Sequence, residues 1–130
     1  MGKAIGLAHI GVFVSNMERS MKFYIDNLGF ESQGIDDLGA TKIGFLKNGG
    51  CIIELVCHET YSNPPTRGIV DHICLEVEGI EELVDTLKAN GIAMENDASV
   101  GYSDKIRGGV KNIFFCGPDG ERIELMEFVR

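Results

Sequence analysis

The chain has 130 residues, of which 20 are Asp or Glu and 12 are Lys or Arg, so its formal net charge is −8. A negative charge of this size disfavours binding to nucleic acid or to an anionic membrane surface. No N-terminal hydrophobic signal and no long apolar stretch are present, so we expect a protein of the cytoplasm. The length suits one domain, or two small halves that share a core.

The four cysteines lie in predicted strands, and no two of them have CxxC spacing. A cytoplasmic protein of this size rarely depends on disulfides. We therefore predict reduced, buried thiols at these positions, which are Cys51, Cys57, Cys74 and Cys116.

The first 58 residues predict one strand, then a helix, then three strands. The pattern of apolar residues places the strands at 7–14, 30–35, 41–47 and 51–57. Ser15 followed by Glu18 has the form of a capping box, and Gly29 supplies a left-handed stop to the helix. Asn48-Gly49 is a strong hairpin signal before the last strand. This half is therefore a predicted βαβββ module.

The second half repeats this order after a linker at 59–68, which contains Pro64-Pro65. A helix is predicted at 80–90 and a Gly-rich, basic loop at 99–109. The predicted strands are 69–77, 93–98, 110–116 and 121–128, the second of them weak. We therefore predict an α+β fold of two tandem βαβββ modules, residues 1–58 and 69–130.

One histidine and one glutamate occupy equivalent places in the two halves. His9 and His72 lie on the first strand of their half, and Glu54 and Glu124 lie on the last, each within Ile-Glu-Leu. Strand alternation puts all four side chains on the sheet face that the helix does not cover. Taken singly, a strand histidine is more often a hydrogen-bonded core residue than a ligand, and a strand glutamate is usually solvated.

The joint occurrence of these four residues indicates a metal site. A buried, unpaired carboxylate costs several kcal/mol, and two of them in one cavity repel each other. A divalent cation offsets both charges, and two neutral imidazoles complete a set of N and O ligands that suits Zn, Ni, Co, Mn or Fe(II). Two neighbouring positions of an octahedral metal would remain for substrate oxygens, and a ligating glutamate could serve as the base.

These residues and further motifs resemble the vicinal oxygen chelate superfamily, and within it short bacterial glyoxalase I (lactoylglutathione lyase). The resemblance covers nearly the whole chain and implies the fold shared by glyoxalase, bleomycin resistance proteins and dioxygenases. It also implies that His9, Glu54, His72 and Glu124 are the metal ligands. The motifs are Ala8-His9-Ile10, Phe23-Tyr24, Leu28-Gly29-Phe30, Ile53-Glu54-Leu55, Asp71-His72-Ile73, Pro118-Asp119-Gly120 and Ile123-Glu124-Leu125-Met126-Glu127.

The reaction implied by this resemblance is a metal-dependent carbon–sulfur lyase reaction that detoxifies methylglyoxal. The hemithioacetal of a 2-oxoaldehyde and a thiol, with glutathione as a candidate, would become a 2-hydroxyacyl thioester. Glu124 would remove the C1 proton, the metal would hold the enediolate, and Glu54 would be the second acid/base. The resemblance further implies Ni or Co rather than Zn, and a homodimer with metal sites near the subunit interface.

Two positions depart from the pattern of glutathione-using enzymes. Those enzymes carry an arginine four residues after the first histidine and an asparagine four after the first glutamate, where this chain has Phe13 and His58. The identity of the thiol is therefore open. Basic residues of the late loop (Lys105, Arg107 and Lys111) are candidates for its carboxylates, and a solvated loop is the alternative. The predicted substrate-binding residues are Phe13, His58, Lys105, Arg107 and Met126.

Other members of the superfamily offer alternative functions. Methylmalonyl-CoA epimerases share the proton-abstraction chemistry but usually carry Gln where Glu54 stands. Fosfomycin thiol transferases and extradiol dioxygenases use two histidines and one carboxylate, so they do not need Glu54. Bleomycin-binding proteins keep the fold without a metal, and the complete ligand set here disfavours that purely binding role.

Overall fold

A computed structural model describes residues 2, 3, 5, 7–60, 68 and 70–129. The chain divides into two compact units, Met1–Asn63 and Pro64–Arg130. Each unit contains one α-helix and one mixed four-stranded sheet. The predicted α+β fold of two tandem βαβββ modules is therefore confirmed. Most of the predicted linker, residues 61–67 together with 69, lies outside the described residues.

The first unit orders its sheet β1-β4-β3-β2, with β1 parallel to β4 and the other neighbours antiparallel. Helix α1 packs against β3 and β4. The contact buries Tyr24 of this helix completely, and it also buries Ile53 and Leu55 of β4. The elements are β1 (Ile10–Phe13), α1 (Met17–Leu28), β2 (Glu31–Asp37), β3 (Thr41–Asn48) and β4 (Cys51–His58).

The start of α1 differs from the prediction by one residue. Asn16, not Ser15, is the N-cap, and its side-chain oxygen accepts a hydrogen bond from the Arg19 backbone N–H at 2.9 Å. Ser15 instead accepts from the Arg19 guanidinium at 2.9 Å. Asparagine caps helices as well as serine does, so two adjacent capping residues made the sequence ambiguous. The predicted stop is confirmed, because Gly29 is left-handed at φ 73°.

The second unit repeats this arrangement in the order β5-β8-β7-β6, with β5 parallel to β8. Ile80 and Leu87 of α2 are fully buried, as are Ile123 and Leu125 of β8, against which the helix packs. The elements are β5 (Ile73–Glu76), α2 (Ile80–Ala89), β6 (Gly101–Ser103), β7 (Val110–Cys116) and β8 (Arg122–Phe128).

The strand predicted at 93–98 is wrong. A short 3-10 turn at Glu95–Asp97 replaces it, and only Met94 pairs with a neighbouring strand, through a single bridge to Phe115. Asn96 and Asp97 have φ values of 56° and 53°, which lie in the left-handed region and not in the extended region of a strand. The sixth strand is the three-residue β6, which lies inside the predicted loop 99–109.

Two smaller differences concern strand length and the first hairpin. Strand β1 is shorter than the predicted 7–14, and β5 is shorter than the predicted 69–77. The loop of the predicted hairpin is Gly49-Gly50, because Asn48 still pairs with Cys51 in the sheet. The Asn48 amide donates to the Leu28 carbonyl at 3.0 Å, so it ties the hairpin to the end of α1.

None of the four cysteines forms a disulfide, but the prediction that they are buried is wrong. Cys74 and Cys116 are exposed, and Cys51 and Cys57 are half-buried. Within the described ranges, no helix is long and apolar enough to cross a membrane.

Candidate active site

Strand register places the predicted site residues equivalently in the two units. In the parallel pairs, Glu54 lies opposite Gly11, and Glu124 lies opposite Cys74. Each of these partner residues follows the histidine of its unit by two positions, so histidine and glutamate share one face of their sheet. That face lies opposite the helix, as the alternation of the sequence predicted.

In the second unit, His72 and Glu124 are in direct contact. The Nε2 atom of His72 is 3.1 Å from the Oε1 atom of Glu124, whose side chain is only 7% exposed. The amide of Asn112 donates to the other oxygen, Oε2, at 2.9 Å. The thiol of Cys74 donates a further hydrogen bond to this carboxylate. The buried carboxylate is therefore held on both oxygens.

The second ring nitrogen of His72 is also engaged. Its Nδ1 atom is 2.9 Å from Asp71 Oδ2, which in turn accepts a hydrogen bond from Arg122 at 2.8 Å. Arg122 also donates to both oxygens of Glu95, at 2.8 and 2.7 Å, and its guanidinium lies 3.8 Å from the centre of the Phe114 ring. Hydrogen bonding to Glu95, with a further contribution from Asp71, raises the pKa of Arg122, which stays cationic.

The pair in the first unit is looser and more open to solvent. His9 Nε2 lies 3.6 Å from Glu54 Oε2, and the Glu54 side chain is 21% exposed. The Phe45 ring packs edge-on against His9 at 5.8 Å between centroids, as Phe114 packs against His72 at 5.4 Å in the second unit. The repeat therefore preserves the histidine, the glutamate and the adjacent phenylalanine.

Cys74 and Asn112 were not among the predicted site residues. The alternation of β5 already put Cys74 on the same face as His72, which was the available signal. Partial burial, followed by the charge and hydrogen bond of Glu124, raises the pKa of the Cys74 thiol from 9.0 to about 11. Asn112 reaches Glu124 only through the pairing of β7 with β8, which the sequence does not specify residue by residue.

Three predicted substrate-binding residues lie on strands that carry a glutamate or that directly follow a histidine of the site. Phe13 is 56% exposed at the end of β1, and it lies four residues after His9, which directly precedes this strand. Met126 follows Glu124 by two residues on β8 but is largely buried. His58 ends β4, where its Nδ1 lies 3.2 Å from the Thr60 backbone nitrogen and 2.9 Å from the Thr60 hydroxyl.

The basic candidates divide into two environments. The Arg107 guanidinium lies 4.7 Å from the centre of the Phe128 ring, and Phe128 belongs to β8, the strand that carries Glu124. The positive charge of Arg107 also lowers the pKa of the Cys74 thiol slightly, against the larger effects that raise it. Lys105 is exposed in the same loop. Lys111 does not belong to the loop: it lies in β7 and forms a 2.8 Å ion pair with Glu81.

The donor chemistry of these pairs fits a divalent metal, although each unit supplies only two of the predicted ligands. Within the described residues, no group of three or more His, Cys, Asp or Glu side chains is placed to hold a metal ion. Each unit nevertheless sets one imidazole nitrogen beside one carboxylate. Asp71 on the far nitrogen of His72 is the outer partner that metal-binding histidines commonly have.

A cavity of about 330 Å³ in the second unit lies beside the end of α2. Its lining includes Lys88, Ile92, Met94 and Asp97, and none of the predicted site residues. The residues that line this cavity therefore do not include the His72–Glu124 pair.

Residues 6–125 match the family model of the Glyoxalase/Bleomycin resistance protein/Dioxygenase superfamily. The chain belongs to this superfamily. The resemblance to the vicinal oxygen chelate proteins is thereby confirmed, and it extends over nearly the whole chain. Divalent metals occur in members of this superfamily, as in the fosfomycin resistance protein FosX of Listeria monocytogenes with Mn(II), which is 20% identical with a TM-score of 0.75.

Two curated relatives are each 28% identical to this chain. The uncharacterized protein YwkD of Bacillus subtilis aligns with 92% of this chain and 94% of its own length. The mitochondrial methylmalonyl-CoA epimerase of Mus musculus aligns with 76% of this chain, which spans 61% of that enzyme's length.

Solved structures of other proteins have the same fold. SMU.1112c is 31% identical, with a TM-score of 0.79 over 96% of this chain and 100% of its own. The trypanothione-dependent glyoxalase I of Leishmania major is 23% identical, with a TM-score of 0.79 over 95% of this chain and 87% of its own. At that identity, the second likeness establishes the fold alone.

Proposed function

We propose that this protein is a metal-dependent enzyme that transfers a proton between adjacent carbons of a small carbonyl substrate, in the manner of glyoxalase I. The substrate is the hemithioacetal of a 2-oxoaldehyde such as methylglyoxal and a thiol, and the product is a 2-hydroxyacyl thioester. The observation that carries this proposal is the equivalent placement of one imidazole and one carboxylate in each unit.

The proposed metal ligands are His9, Glu54, His72 and Glu124. Their charges and donor atoms fit a divalent ion, because two carboxylates offset its charge and two neutral imidazoles add nitrogen donors. Ni and Co are the first candidates, followed by Zn, Mn and Fe. When bound, the metal would act as a Lewis acid that stabilises negative charge on the substrate oxygens.

Glu124 is the proposed catalytic base. The donors Asn112 and Cys74 fix the carboxylate in a nearly water-free place on the sheet. It would take the proton from C1, the electron pair of that C–H bond would form a C1–C2 double bond, and the C2 carbonyl pair would move onto its oxygen, which takes up a proton. Delivery of a proton to C2 and loss of the proton from the C1 hydroxyl would then leave a 2-hydroxyl group and the thioester carbonyl at C1. Glu54, which is more exposed, is the proposed second acid/base. A positioned acid or base of this kind contributes about 10²- to 10⁴-fold to a rate.

Residues at the margin of this face are proposed to bind the thiol portion of the substrate. Arg107 is supported best, because it places a cation beside Phe128 in a protein of net charge −8. Its partner would be a carboxylate of the thiol, with glutathione as the candidate. Lys105 would contribute from the same loop. The remaining proposed contacts are Phe13, His58 and Met126.

The proposed assembly is a homodimer in the cytoplasm, with metal sites near the subunit interface. A pair of ligands is too few for a catalytic metal centre, which usually has three or more protein ligands. The pairs described for each unit therefore require a second pair. Free cysteines agree with a reducing compartment. Light scattering of the metal-loaded protein would give the mass of the assembly directly.

The second candidate function is that of a methylmalonyl-CoA epimerase. The observation that favours it is the 28% identity to the mouse enzyme. Both reactions begin with removal of a proton from the carbon next to a carbonyl, so the same base would serve. Glu54 favours the lyase, since a glutamine is usual at that place in the epimerases.

One experiment separates these functions. The purified protein is stripped of metal and reloaded with Ni²⁺, Co²⁺, Zn²⁺, Mn²⁺ or Fe²⁺, and thioester absorbance is followed with methylglyoxal and several thiols. Proton exchange into methylmalonyl-CoA in D₂O is followed in parallel by NMR. Thioester formation that requires metal is the expected result. Exchange without thioester formation would assign the epimerase, and failure to bind any of these metals would overturn both functions.

A further inference from the structure

The two His–Glu pairs have unequal surroundings, although the strand registers make their neighbours directly comparable. Phe45 lies opposite Glu54 and Phe114 lies opposite Glu124, so residues at equal offsets from these pairs are equivalent. At four of these equivalent positions, a polar or thiol side chain in the second unit replaces an aliphatic residue or a glycine of the first. In first-unit and second-unit order they are Ala8 and Asp71, Gly11 and Cys74, Ile43 and Asn112, and Ile52 and Arg122.

All four second-unit residues act on the His72–Glu124 pair. Asp71 lies 2.9 Å from His72 Nδ1, and Arg122 holds Asp71 from the other side at 2.8 Å. Asn112 donates to Glu124 Oε2 at 2.9 Å, and Cys74 donates to the same carboxylate. Their counterparts in the first unit have no side-chain group that can donate or accept a hydrogen bond.

The sheet itself does not need these polar residues. The first unit forms the same four-stranded sheet with aliphatic residues or glycine at the equivalent positions. Glu124 is the buried polar group of this pair, and a buried carboxylate is costly unless it is hydrogen-bonded. The four residues around the pair are themselves half-buried or exposed, so the burial of their own side chains does not explain why they converge on it. All four instead contribute to the orientation of the same two groups, the His72 imidazole and the Glu124 carboxylate.

The geometry of the pairs agrees with this difference. The supported pair has the shorter N–O distance, 3.1 Å, and a nearly buried carboxylate. The unsupported pair has a distance of 3.6 Å and a carboxylate that is 21% exposed. Outer partners of metal ligands fix the orientation of the ligand and raise metal affinity.

We infer that Asp71 and Asn112 are positioning residues that pre-organise His72–Glu124 for metal binding, whereas His9–Glu54 has no such support and is the more adaptable pair. This inference rests on the proposed function, because it assumes that the two pairs bind a divalent metal. It adds that the second unit determines most of the metal affinity and fixes the base, Glu124, while the first unit adjusts around substrate.

The test transfers first-unit residues into the second unit. Asp71→Ala and Asn112→Ile each introduce the residue that occupies the equivalent position of the first unit. If Asn112→Ile lowers the melting temperature, Asn112→Ser replaces it. Co²⁺ is titrated into each metal-free variant against a chromophoric chelator, and the visible spectrum of bound Co²⁺ is recorded. Glu81→Gln is the matched control, because it removes the ion pair with Lys111 in the same unit.

Asp71→Ala and Asn112→Ile are each expected to weaken Co²⁺ binding by about 10-fold or more and to alter the Co²⁺ spectrum. They should lower kcat more than they raise KM, whereas Glu81→Gln should change none of these. Wild-type affinity and spectrum in both variants would overturn the inference and leave the proposed function standing. Equal weakening by Glu81→Gln would also overturn it. A wild-type protein that binds none of Co²⁺, Ni²⁺, Zn²⁺, Mn²⁺ and Fe²⁺ would remove the proposed function, and the inference with it.

Discussion

Glu124 and Glu127 lie three residues apart on β8, and their side chains serve opposite faces of the sheet. Glu127 accepts hydrogen bonds from the backbone N–H groups of Gly79 and Ile80, at 3.0 and 3.1 Å, where α2 begins. Gly79 offers no side chain to cap this helix, so a residue distant in sequence does so. Glu124 faces His72 on the other side. One strand thus anchors the helix and carries the candidate base.

Glu127→Ala should destabilise the protein without changing its metal chemistry. Removal of a capping acceptor costs about 1 kcal/mol of the free energy of unfolding. We expect a lower urea midpoint for the metal-free protein and unchanged Co²⁺ affinity. Glu127→Gln is the control, since its side-chain oxygen can still accept one of the two bonds. Wild-type stability in Glu127→Ala would show that the cap is energetically neutral.

Glu124→Gln should have the opposite outcome. Glutamine keeps the shape of the side chain and an oxygen that accepts from Asn112, so the melting temperature should stay close to that of the wild type. Glutamine cannot take a proton, and kcat should fall by about 10²- to 10⁴-fold. The measurement is steady-state turnover of the metal-loaded variant. Full activity would exclude Glu124 as the base.

Much of the fold was predictable because strand alternation and helical spacing are strong signals in this chain. The faces of β4 and β8 were predicted, and Ile53 and Leu125 are buried while the neighbouring glutamates face away from the helix. A three-residue strand such as β6 is too short to show alternation. The left-handed backbone at Asn96 also lacks a reliable local signal, since asparagine occurs in many conformations.

The site was predictable only in part, for a related reason. His72 and Glu124 are polar residues in predicted strands that are rich in apolar residues, which is unusual for solvated strand residues. The sequence alone therefore identifies them as candidate site residues. Asn112 and Arg122 gain their roles from strand register and from contacts across the sheet. Register depends on turn geometry and on which face is buried, and a one-residue shift would move both side chains to the other face.

Gly44 is expected to be indispensable for the packing of α1. A Cβ atom at this position would lie 2.8 Å from the Met17 sulfur and 3.2 Å from the Met21 sulfur. Flexible methionines can yield to one methyl group, but valine adds two more. Gly44→Val should therefore lower the free energy of unfolding by about 1–3 kcal/mol, measured by urea denaturation. Gly50→Ala is the control with no atom within 4 Å, and it should change stability by less than about 0.5 kcal/mol. Equal stability of the two variants would contradict the close packing.

The Cys74 thiol should be alkylated slowly in the metal-free protein, although it is exposed. Partial burial and the Glu124 carboxylate raise its pKa to about 11, so at every pH below that value it carries less thiolate than a thiol with a pKa of 9.0. Alkylation needs the thiolate. At a pH near the ordinary thiol pKa, iodoacetamide should therefore modify Cys74 about 50-fold more slowly than in the urea-unfolded chain, measured by mass spectrometry. Glu124→Gln should accelerate the reaction, and equal rates in the folded and unfolded protein would refute the raised pKa.

Glu54→Gln tests whether the more exposed carboxylate is a metal ligand. Its side chain is 21% exposed and lies 3.6 Å from His9, so loss of its charge should leave the melting temperature nearly unchanged. As a ligand, however, it supplies one of the two negative charges that offset the metal, and neutral glutamine is a weaker donor. We expect lower metal content after dialysis and loss of thioester formation. If the same site also catalyses the epimerase reaction, proton exchange into methylmalonyl-CoA should be retained. Unchanged metal content would remove Glu54 from the ligand set and leave two histidines and Glu124, the ligand pattern expected of the fosfomycin transferases and dioxygenases rather than of the lyase.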